Sequence, residues 1–446
     1  MLASVYRRVG GLDVHKKTVV ATRMRVTDEG IAESETQTFG TTTPSLLKLH
    51  DWLLEWSLTH VAMESTGDYW KPVYNVLEDT FELLVVNAQH VKHVPGRKTE
   101  VKDSEWLAEL MLHGLLKASF IPPKPQRALR ETTRYRTRVI QERTRGINRV
   151  HKVLEGANIK LSSVATDIMG VSARAMLAEI VSGQTDTALM ADLARGRMRS
   201  KIPALEEALT GFVEAHHRFL LAHQLAHIDF LDGEIDELSA EITRQMDSMS
   251  TPPDTGNSDP QESDTGTSAD GGDPNENPLT WSEGVSLLET VPGISRRSAE
   301  SILAEIGLDM SRFPTDRNLA SWSGCAPGNN QSGGKRFSGR RPKGNKALSS
   351  ILTQAAHAAA RTKGTFLNAR YHRIAARRGK KRAIGAISHS IIVSIWHILT
   401  HRQPYRDLGG DFYDHRKPEV KVSYLVQRLE KLTGATVRLD SKPVAA

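Results

Sequence analysis

The sequence predicts an α/β domain at the N-terminus, a long helical middle region and a basic, mainly α C-terminal domain. Strand and helix patterns alternate through the first hundred residues, and almost wholly helical patterns then continue to about residue 246. Residues 293–406 contain 21 basic and 4 acidic residues, a local net charge of +17 that favours a polyanionic partner. The predicted domains are 1–125, 126–250, 251–279, 280–406 and 407–446.

The periodicity of apolar residues predicts the elements of the first domain. Strands are expected at 9–12, 18–26, 31–39, 60–63 and 81–86, and helices at 45–56, 69–77 and 103–116. Three consecutive strands followed by alternating helices and strands predict a mixed sheet with helices on its faces.

The helical region 126–250 contains an arginine-rich segment, residues 127–152, and a mostly apolar repeat with alternating three- and four-residue steps. The repeat consists of Leu221, Gln224, Ile228, Leu231, Ile235, Leu238 and Ile242. This spacing is that of a coiled-coil seam, which would make the protein a homodimer or higher oligomer. An amphipathic helix packed within its own chain explains the spacing equally well.

The segment 251–279 is predicted to be a disordered acidic linker. Its first 28 residues hold seven acids and no basic residue, and they lack the large aliphatic side chains that would offset the entropy of ordering. The last segment, 407–446, is expected to hold a short helix at about 420–432 and a frayed tail.

Composition and charge also bear on the compartment. The single cysteine, Cys325, excludes an internal disulfide and indicates a reducing environment, and residues 1–13 lack the apolar core of a signal peptide. Residues 383–401 carry no formal charge and are long enough to span a bilayer, but their serines and histidines favour a buried helix. We therefore expect a cytoplasmic protein of a bacterial or archaeal cell, without a membrane partner and acting at the nucleoid.

Four carboxylates occupy positions suited to a divalent metal. Asp13 directly follows the first predicted strand, and Glu64 closes the strand at 60–63. If these strands are neighbours, both acids lie at one end of the sheet, where oxygen ligands could hold Mg²⁺ for two-metal phosphoryl chemistry. Glu100 and Asp103 share a helix face if the helix begins that early. Turn capping and helix capping are the alternative for each acid taken singly.

Residues 290–307 have the pattern of a helix-hairpin-helix, in which a tight Pro-Gly hairpin precedes an apolar-periodic helix. Gly293 permits the unusual backbone angles, and amides at the start of the next helix can bind a phosphate. The adjacent Arg296 and Arg297 favour DNA binding without sequence readout over a simple packing unit.

A cationic, glycine-rich segment follows. Ser332 precedes two glycines, and six basic residues around it are predicted to bind nucleic acid: Lys335, Arg336, Arg340, Arg341, Lys343 and Lys346. The residues alone indicate a flexible phosphate-binding loop, in which a serine beside glycine is usually a turn residue. Residues 361–382 add nine basic residues and no acid, a surface suited to DNA or RNA.

Three blocks of the N-terminal region resemble those of the IS110 family of insertion-sequence transposases. They are Gly-Leu-Asp-Val-His-Lys from residue 11, Met-Glu-Ser-Thr-Gly-Asp-Tyr-Trp from residue 63, and Gly-Arg-Lys-Thr-Glu-Val-Lys-Asp-Ser-Glu-Trp-Leu-Ala from residue 96. The resemblance implies an RNase H-like (RuvC-like) domain, a coiled coil and a C-terminal transposase domain. It also implies that Asp13, Glu64, Glu100 and Asp103 bind Mg²⁺, although Glu100 stands where the family usually has aspartate.

The resemblance further implies that Ser332, in the family's Ser-Gly-Gly block, attacks DNA. The expected product is a covalent phosphoserine, which conserves the phosphodiester energy so that strands can be rejoined without ATP. Ser323 and Ser338 are nearby alternatives. The expected partners are double-stranded DNA at element ends and target, and an element-encoded guide RNA held by residues 127–152 and the basic domain.

Three hypotheses follow from the sequence. The first is a serine- and Mg²⁺-dependent transposase. The second is a RuvC-like nuclease that hydrolyses DNA junctions with the acids alone, and the third is a non-enzymatic architectural DNA-binding protein whose acids are structural.

Overall fold

The computed structural model describes residues 5–65, 67–87, 91, 103–250, 279–328, 331–336, 339, 341–416 and 418–438. The chain forms two compact units, Met1–Pro122 and Pro123–Ala446. The predicted linker, 251–279, lies outside the described residues except for its last residue.

The described part of the first unit contains five strands and three helices. The strands are β1 (Arg8–Val14), β2 (Thr18–Val26), β3 (Ala32–Gly40), β4 (His60–Glu64) and β5 (Glu82–Val86). The helices are α1 (Thr43–Leu54), α2 (Trp70–Leu77) and α3 (Asp103–Leu112). Each element predicted from apolar periodicity is present, with boundaries that differ by only a few residues.

The strands form one mixed sheet in the order β3-β2-β1-β4-β5. The first three strands are antiparallel because short turns join them, whereas β4 and β5 run parallel to β1 because helices connect them. The predicted mixed sheet is confirmed, and its order and strand directions fit an RNase H-like α/β domain.

Opposite faces of this sheet are covered by different helices. One face packs Leu12 and Met63 against Leu49 and other buried residues of α1. The other face packs Val9 and Ala62 against α3. Side chains alternate along a strand, so Gly11 and Asp13 of β1 lie on the α3 face with Val9.

The second unit is helical apart from a short hairpin in its described part. Its helices are α4 (Lys124–Gly156), α5 (Leu161–Val164), α6 (Val171–Ser182), α7 (Thr187–Asp192), α8 (Ile202–Leu209), α9 (Ala215–Ser250), α10 (Trp281–Glu289), α11 (Arg296–Ile306), α12 (Asp316–Trp322), α13 (Lys346–Ala359), α14 (Phe366–Arg378), α15 (Lys380–His401), α16 (Phe412–Arg416) and α17 (Pro418–Thr433). The hairpin strands are β6 (Gln331–Ser332) and β7 (Lys335–Arg336). The predicted helical character of this region is confirmed.

The long helices α4 and α9 pack against each other within the chain, and they run antiparallel. Val139 of α4 clusters with Leu231 and Ile235 of α9, whereas Gln245, near the end of α9, donates a hydrogen bond to Thr132, near the start of α4. The α9 repeat that suggested a coiled-coil seam therefore faces α4 of the same chain. This is the second of the two explanations that the spacing allowed, and it needs no second protomer.

Helix α15 contains the uncharged stretch at 383–401. Among the described helices it alone is long and apolar enough to cross a membrane, by length and composition. Half of its most apolar 18-residue stretch is buried inside the protein. Ile387, Ile391 and Ile395 are fully buried. We therefore describe α15 as the core helix of the C-terminal region.

Candidate catalytic and nucleic-acid-binding sites

The β1–β4 pairing places Asp13 beside Glu64. The last registered pair of these parallel strands is Leu12 with Met63, so the two acids are the next residues on adjacent strands. Both belong to the face that α3 covers, because they alternate with Leu12 and Met63 on the opposite face.

Helix α3 begins near the same end of the sheet. Ser104, its second residue, hydrogen-bonds through its hydroxyl to Thr22 Oγ1 at 2.9 Å, and Thr22 pairs with Gly11 on β1. Leu112, at the other end of the helix, accepts hydrogen bonds from the backbone amides of Val5 and Tyr6, which precede β1. The helix thus runs antiparallel to β1, and Asp103 starts it near the end of β1 that carries Asp13.

The backbone brings Asp13, Glu64 and Asp103 to one end of the sheet, but their carboxylates do not form a compact cluster. Asp13 Oδ2 lies 3.1 Å from His15 Nε2, and its side chain is 22% exposed. Within the ranges that the structure describes, no group of three or more His, Cys, Asp or Glu side chains is arranged to hold a metal ion. Glu100, the fourth predicted ligand, lies outside the described residues.

The donor types nevertheless fit Mg²⁺. Asp13, Glu64 and Asp103 offer only carboxylate oxygens, the hard ligands that Mg²⁺ takes in proteins, and three separate elements bring them to one end of the sheet. A few coordinated waters commonly complete such a site, so the carboxylates need not enclose the ion.

The helix-hairpin-helix pattern corresponds to α10, a tight hairpin and α11. Gly293 has φ +93°, and a Cβ there would lie 2.4 Å from the carbonyl oxygen of Ala355 on α13. The glycine is therefore required for close packing as well as for the turn. Arg296 and Arg297 are exposed at the start of α11, and Arg296 also pairs with Glu300 at 3.2 Å.

Ser332 lies at the end of a two-stranded hairpin. Its backbone pairs with that of Lys335 across a two-residue turn, in which Gly333 and Gly334 have φ of +56° and +76°. Two consecutive residues with positive φ match the right-handed twist of the strands and strongly favour glycine. The predicted loop therefore contains an ordered turn that fixes the backbone of Ser332.

Exposed cations lie in this hairpin and in the segment that follows it. Lys335, Arg341, Lys343 and Lys346 are all exposed. The Arg336 side chain and Arg340 lie outside the described part of the structure, as does Ser338. Ser323, by contrast, is fully buried, and its hydroxyl donates to the carbonyl oxygen of Ala320 at 2.9 Å. Burial excludes Ser323 as a nucleophile toward DNA in this conformation.

Several arginines of the 127–152 segment are occupied by acids of their own chain. Arg130 and Arg134 both contact Glu305, Arg136 contacts Glu300 at 2.7 Å, and Arg143 pairs with Asp232. Arg136 is 1% exposed. The basic surface predicted for this segment is therefore confined to a smaller set of exposed residues, Arg138, Arg145, Arg149 and Lys152.

His389 on α15 is a titratable group for which the sequence analysis proposed no role. Its pKa is lowered by burial, and further by the positive charges of Arg370 and Arg341, with Asp316 acting in the opposite direction. Arg341 reaches α15 one turn earlier, where its Nη1 lies 3.9 Å from the Cβ position of Gly385. The charge of Arg341, in the cationic loop, thus acts on the pKa of His389 on α15.

Comparison with known proteins identifies the class of this protein. A family model described as DEDD_Tnp_IS110, Transposase, matches residues 10–159, and one described as Transposase IS116/IS110/IS902 family matches residues 285–372. The sheet with its acids and the serine-bearing helical region are therefore parts of a transposase, an enzyme of DNA recombination that acts on DNA. Together the two matches cover more than half of the chain, which belongs to the IS110 family of insertion-sequence transposases. No curated protein matches it.

Proposed function

We propose that this transposase cleaves and rejoins DNA through a covalent phosphoserine at Ser332, with Mg²⁺ held by Asp13, Glu64, Glu100 and Asp103. The observation that carries the proposal is the position of Ser332 next to a two-residue turn within a loop of exposed cations. A glycine turn allows the close approach of a DNA backbone, and the cations favour its phosphates.

In the proposed step, the Ser332 hydroxyl oxygen bonds to the phosphorus of a DNA phosphodiester while the bond from phosphorus to a sugar oxygen breaks. The serine releases its proton and the departing sugar oxygen takes one up, leaving a phosphoserine and a free hydroxyl on the other strand end. Attack by a different strand's hydroxyl reverses the step and exchanges the strands.

A serine hydroxyl is a weak nucleophile and needs activation. Bound Mg²⁺ would supply electrostatic stabilisation of the charge that develops on the phosphoryl oxygens. Arg341 and Lys343 of the loop and Lys346 at the start of α13 also contribute positive charge, and they orient the phosphate by ion pairing.

A guide RNA and self-association belong to the same proposal. Arg138, Arg145, Arg149 and Lys152 are exposed on α4 at steps of seven, four and three residues, which places them along one helix face. Such a stripe suits a nucleic-acid backbone. Since α4 occupies the predicted seam of α9, a homodimer or higher oligomer would use other surfaces of the chain.

Strand exchange on element-end DNA tests this proposal with two substitutions at the proposed site and one control. Ser332→Ala is expected to abolish strand exchange, and Ser350→Ala, which removes an exposed hydroxyl from α13, is expected to leave it intact. Asp13→Ala is expected to abolish both cleavage and exchange while DNA affinity persists. Cleavage that survives Ser332→Ala would indicate the junction nuclease, and activity unaffected by Asp13→Ala would contradict the metal-dependent enzyme.

A further inference from the structure

The loop that carries Ser332 is closed at its base. Its two arms meet where the backbone amide of Asn345 donates to the carbonyl oxygen of Trp322 at 3.2 Å. Gly344 packs against Gly324 so closely that a Cβ on Gly344 would lie 2.2 Å from the Gly324 nitrogen. An interaction that holds this base therefore restricts the positions that the hairpin at the other end of the loop can occupy.

Glu305, on α11, holds the base. Its carboxylate is 1% exposed, and its Oε2 accepts a hydrogen bond from Asn345 Nδ2 at 2.6 Å. The other end of the Asn345 amide, Oδ1, accepts from the backbone amide of Leu348 and caps α13. Through one amide, Glu305 thus fixes the last residue of the loop and the start of the next helix.

Two arginines of α4 hold the Glu305 carboxylate in turn. Arg134 binds it with Nε and Nη2, at 2.6 and 2.9 Å, and Arg130 Nε lies 3.3 Å from Oε2. Burial lowers the pKa of Arg130 to about 10, which leaves the guanidinium charged at neutral pH. A buried carboxylate is tolerated only with such partners, and a bidentate pair also restricts its orientation.

We propose that Glu305 is a positioning residue for the serine hairpin. It links helices α4 and α11 to the base of the loop. DNA bound at the start of α11 would therefore keep a fixed distance and orientation relative to the Ser332 backbone. The inference rests on the proposed function for its consequence in catalysis, whereas the mechanical link stands on the contacts of Glu305 alone.

A reciprocal exchange of the two side chains tests the link. Asn345→Asp keeps a residue that caps helices well but puts a second carboxylate against Glu305, which should displace the loop base. Adding Glu305→Gln restores the hydrogen bond in the opposite direction, because the amide introduced at position 305 can donate to the carboxylate introduced at position 345. Asp229→Asn is the control, since it weakens an ion pair between α9 and Arg174 of α6 that involves neither Glu305 nor Asn345.

Three quantities are measured for each variant: DNA affinity, the rate of covalent adduct formation per folded molecule, and amide hydrogen exchange of residues 323–345. A small misplacement of reacting groups can cost about 100-fold in rate, so Asn345→Asp is expected to slow adduct formation by roughly 10- to 100-fold with DNA affinity nearly unchanged. Its loop amides should exchange faster. The double variant should recover part of the rate and of the protection, because the hydrogen bond between residues 305 and 345 returns while the bidentate pair with Arg134 is lost. Asp229→Asn should change neither.

An equal loss of affinity and rate in Asn345→Asp, a double variant no better than the single one, or an unchanged rate would overturn the positioning role. The exchange measurement separates this outcome from failure of the proposed chemistry, because it needs no DNA. If no adduct forms in any variant, or if it forms on a residue other than Ser332, the proposed chemistry fails, whereas loop protection still reports on Glu305.

Discussion

Gly11 lies so close to α3 that a Cβ atom there would be 2.1 Å from the carbonyl oxygen of Ser104 and 2.5 Å from the Ala108 nitrogen. This contact lets the helix lie directly on β1, and it brings the start of the helix to the strand end that carries Asp13. Backbone atoms cannot move aside as the end of a flexible side chain can. The glycine is therefore a geometric requirement of the proposed acid site.

Gly11→Ala is expected to push α3 away from the sheet. Overpacking of this kind costs about 1–3 kcal/mol, so the urea midpoint should fall, and DNA cleavage should fall further because Asp103 moves with the helix. Gly10→Ala is the comparison, since its Cβ would meet only side-chain atoms, at 3.1 Å and beyond. Equal effects of the two substitutions on cleavage would count against the placement of Asp103.

The buried pair of Arg136 and Glu300 gives a second prediction, on stability. Their side chains are 2% and 5% exposed, so removing one partner leaves an uncompensated charge. Arg136→Met is expected to destabilise the second unit by about 3–5 kcal/mol, and adding Glu300→Leu should restore most of that loss. Urea unfolding of both variants measures this, and a single substitution that costs nothing would show that the pair is not buried in solution.

Exposed cations of the serine loop should make DNA affinity depend on the salt concentration. Lys343→Ala removes one phosphate contact, so the slope of log affinity against log salt concentration should fall by about 0.9, equally for all DNA sequences. Lys160→Ala is the control, because Lys160 is paired with Glu155 in the same unit. If the two variants show the same slope as the unmodified protein, Lys343 does not contact a phosphate.

His389 predicts a pH dependence of stability. Burial, with Arg370 and Arg341, lowers its folded-state pKa below the ordinary value of 6.5, so the unfolded chain binds the proton more readily. The contribution of neutral His389 to the free energy of unfolding is thus present above pH 6.5. It is lost as the pH falls from 6.5 toward the folded-state pKa. His389→Gln should lose less stability than the unmodified protein between pH 7 and pH 5 in urea titrations. Parallel loss in both proteins would exclude this group as the cause.

Local periodicity predicted the elements well because it reports which face of each strand or helix is buried. Strand β2 was predicted at its observed bounds, and the placement of Asp13 and Glu64 at one end of the sheet followed once β1 and β4 were assumed to be neighbours. The two-residue turn beside Ser332 was visible only as a pair of glycines. Its hairpin depends on φ values that two adjacent glycines permit but do not impose.

Contacts distant in the sequence could not be predicted. Glu305 reads as an ordinary helix residue, since its partners Arg130 and Asn345 are 175 and 40 residues away. The arginines of α4 looked like a nucleic-acid surface for the same reason, because the acids that neutralise Arg134 and Arg136 belong to α11. The coiled-coil spacing of α9 was real, but spacing alone does not identify the partner helix.

The proposed serine chemistry is tested most directly by trapping the covalent adduct between the protein and element-end DNA in the presence of Mg²⁺ and mapping the modified residue by mass spectrometry. We expect a phosphodiester link to the Ser332 side-chain oxygen that does not form when Mg²⁺ is omitted from the reaction. An adduct on any other residue, or DNA cleavage without an adduct, would contradict it.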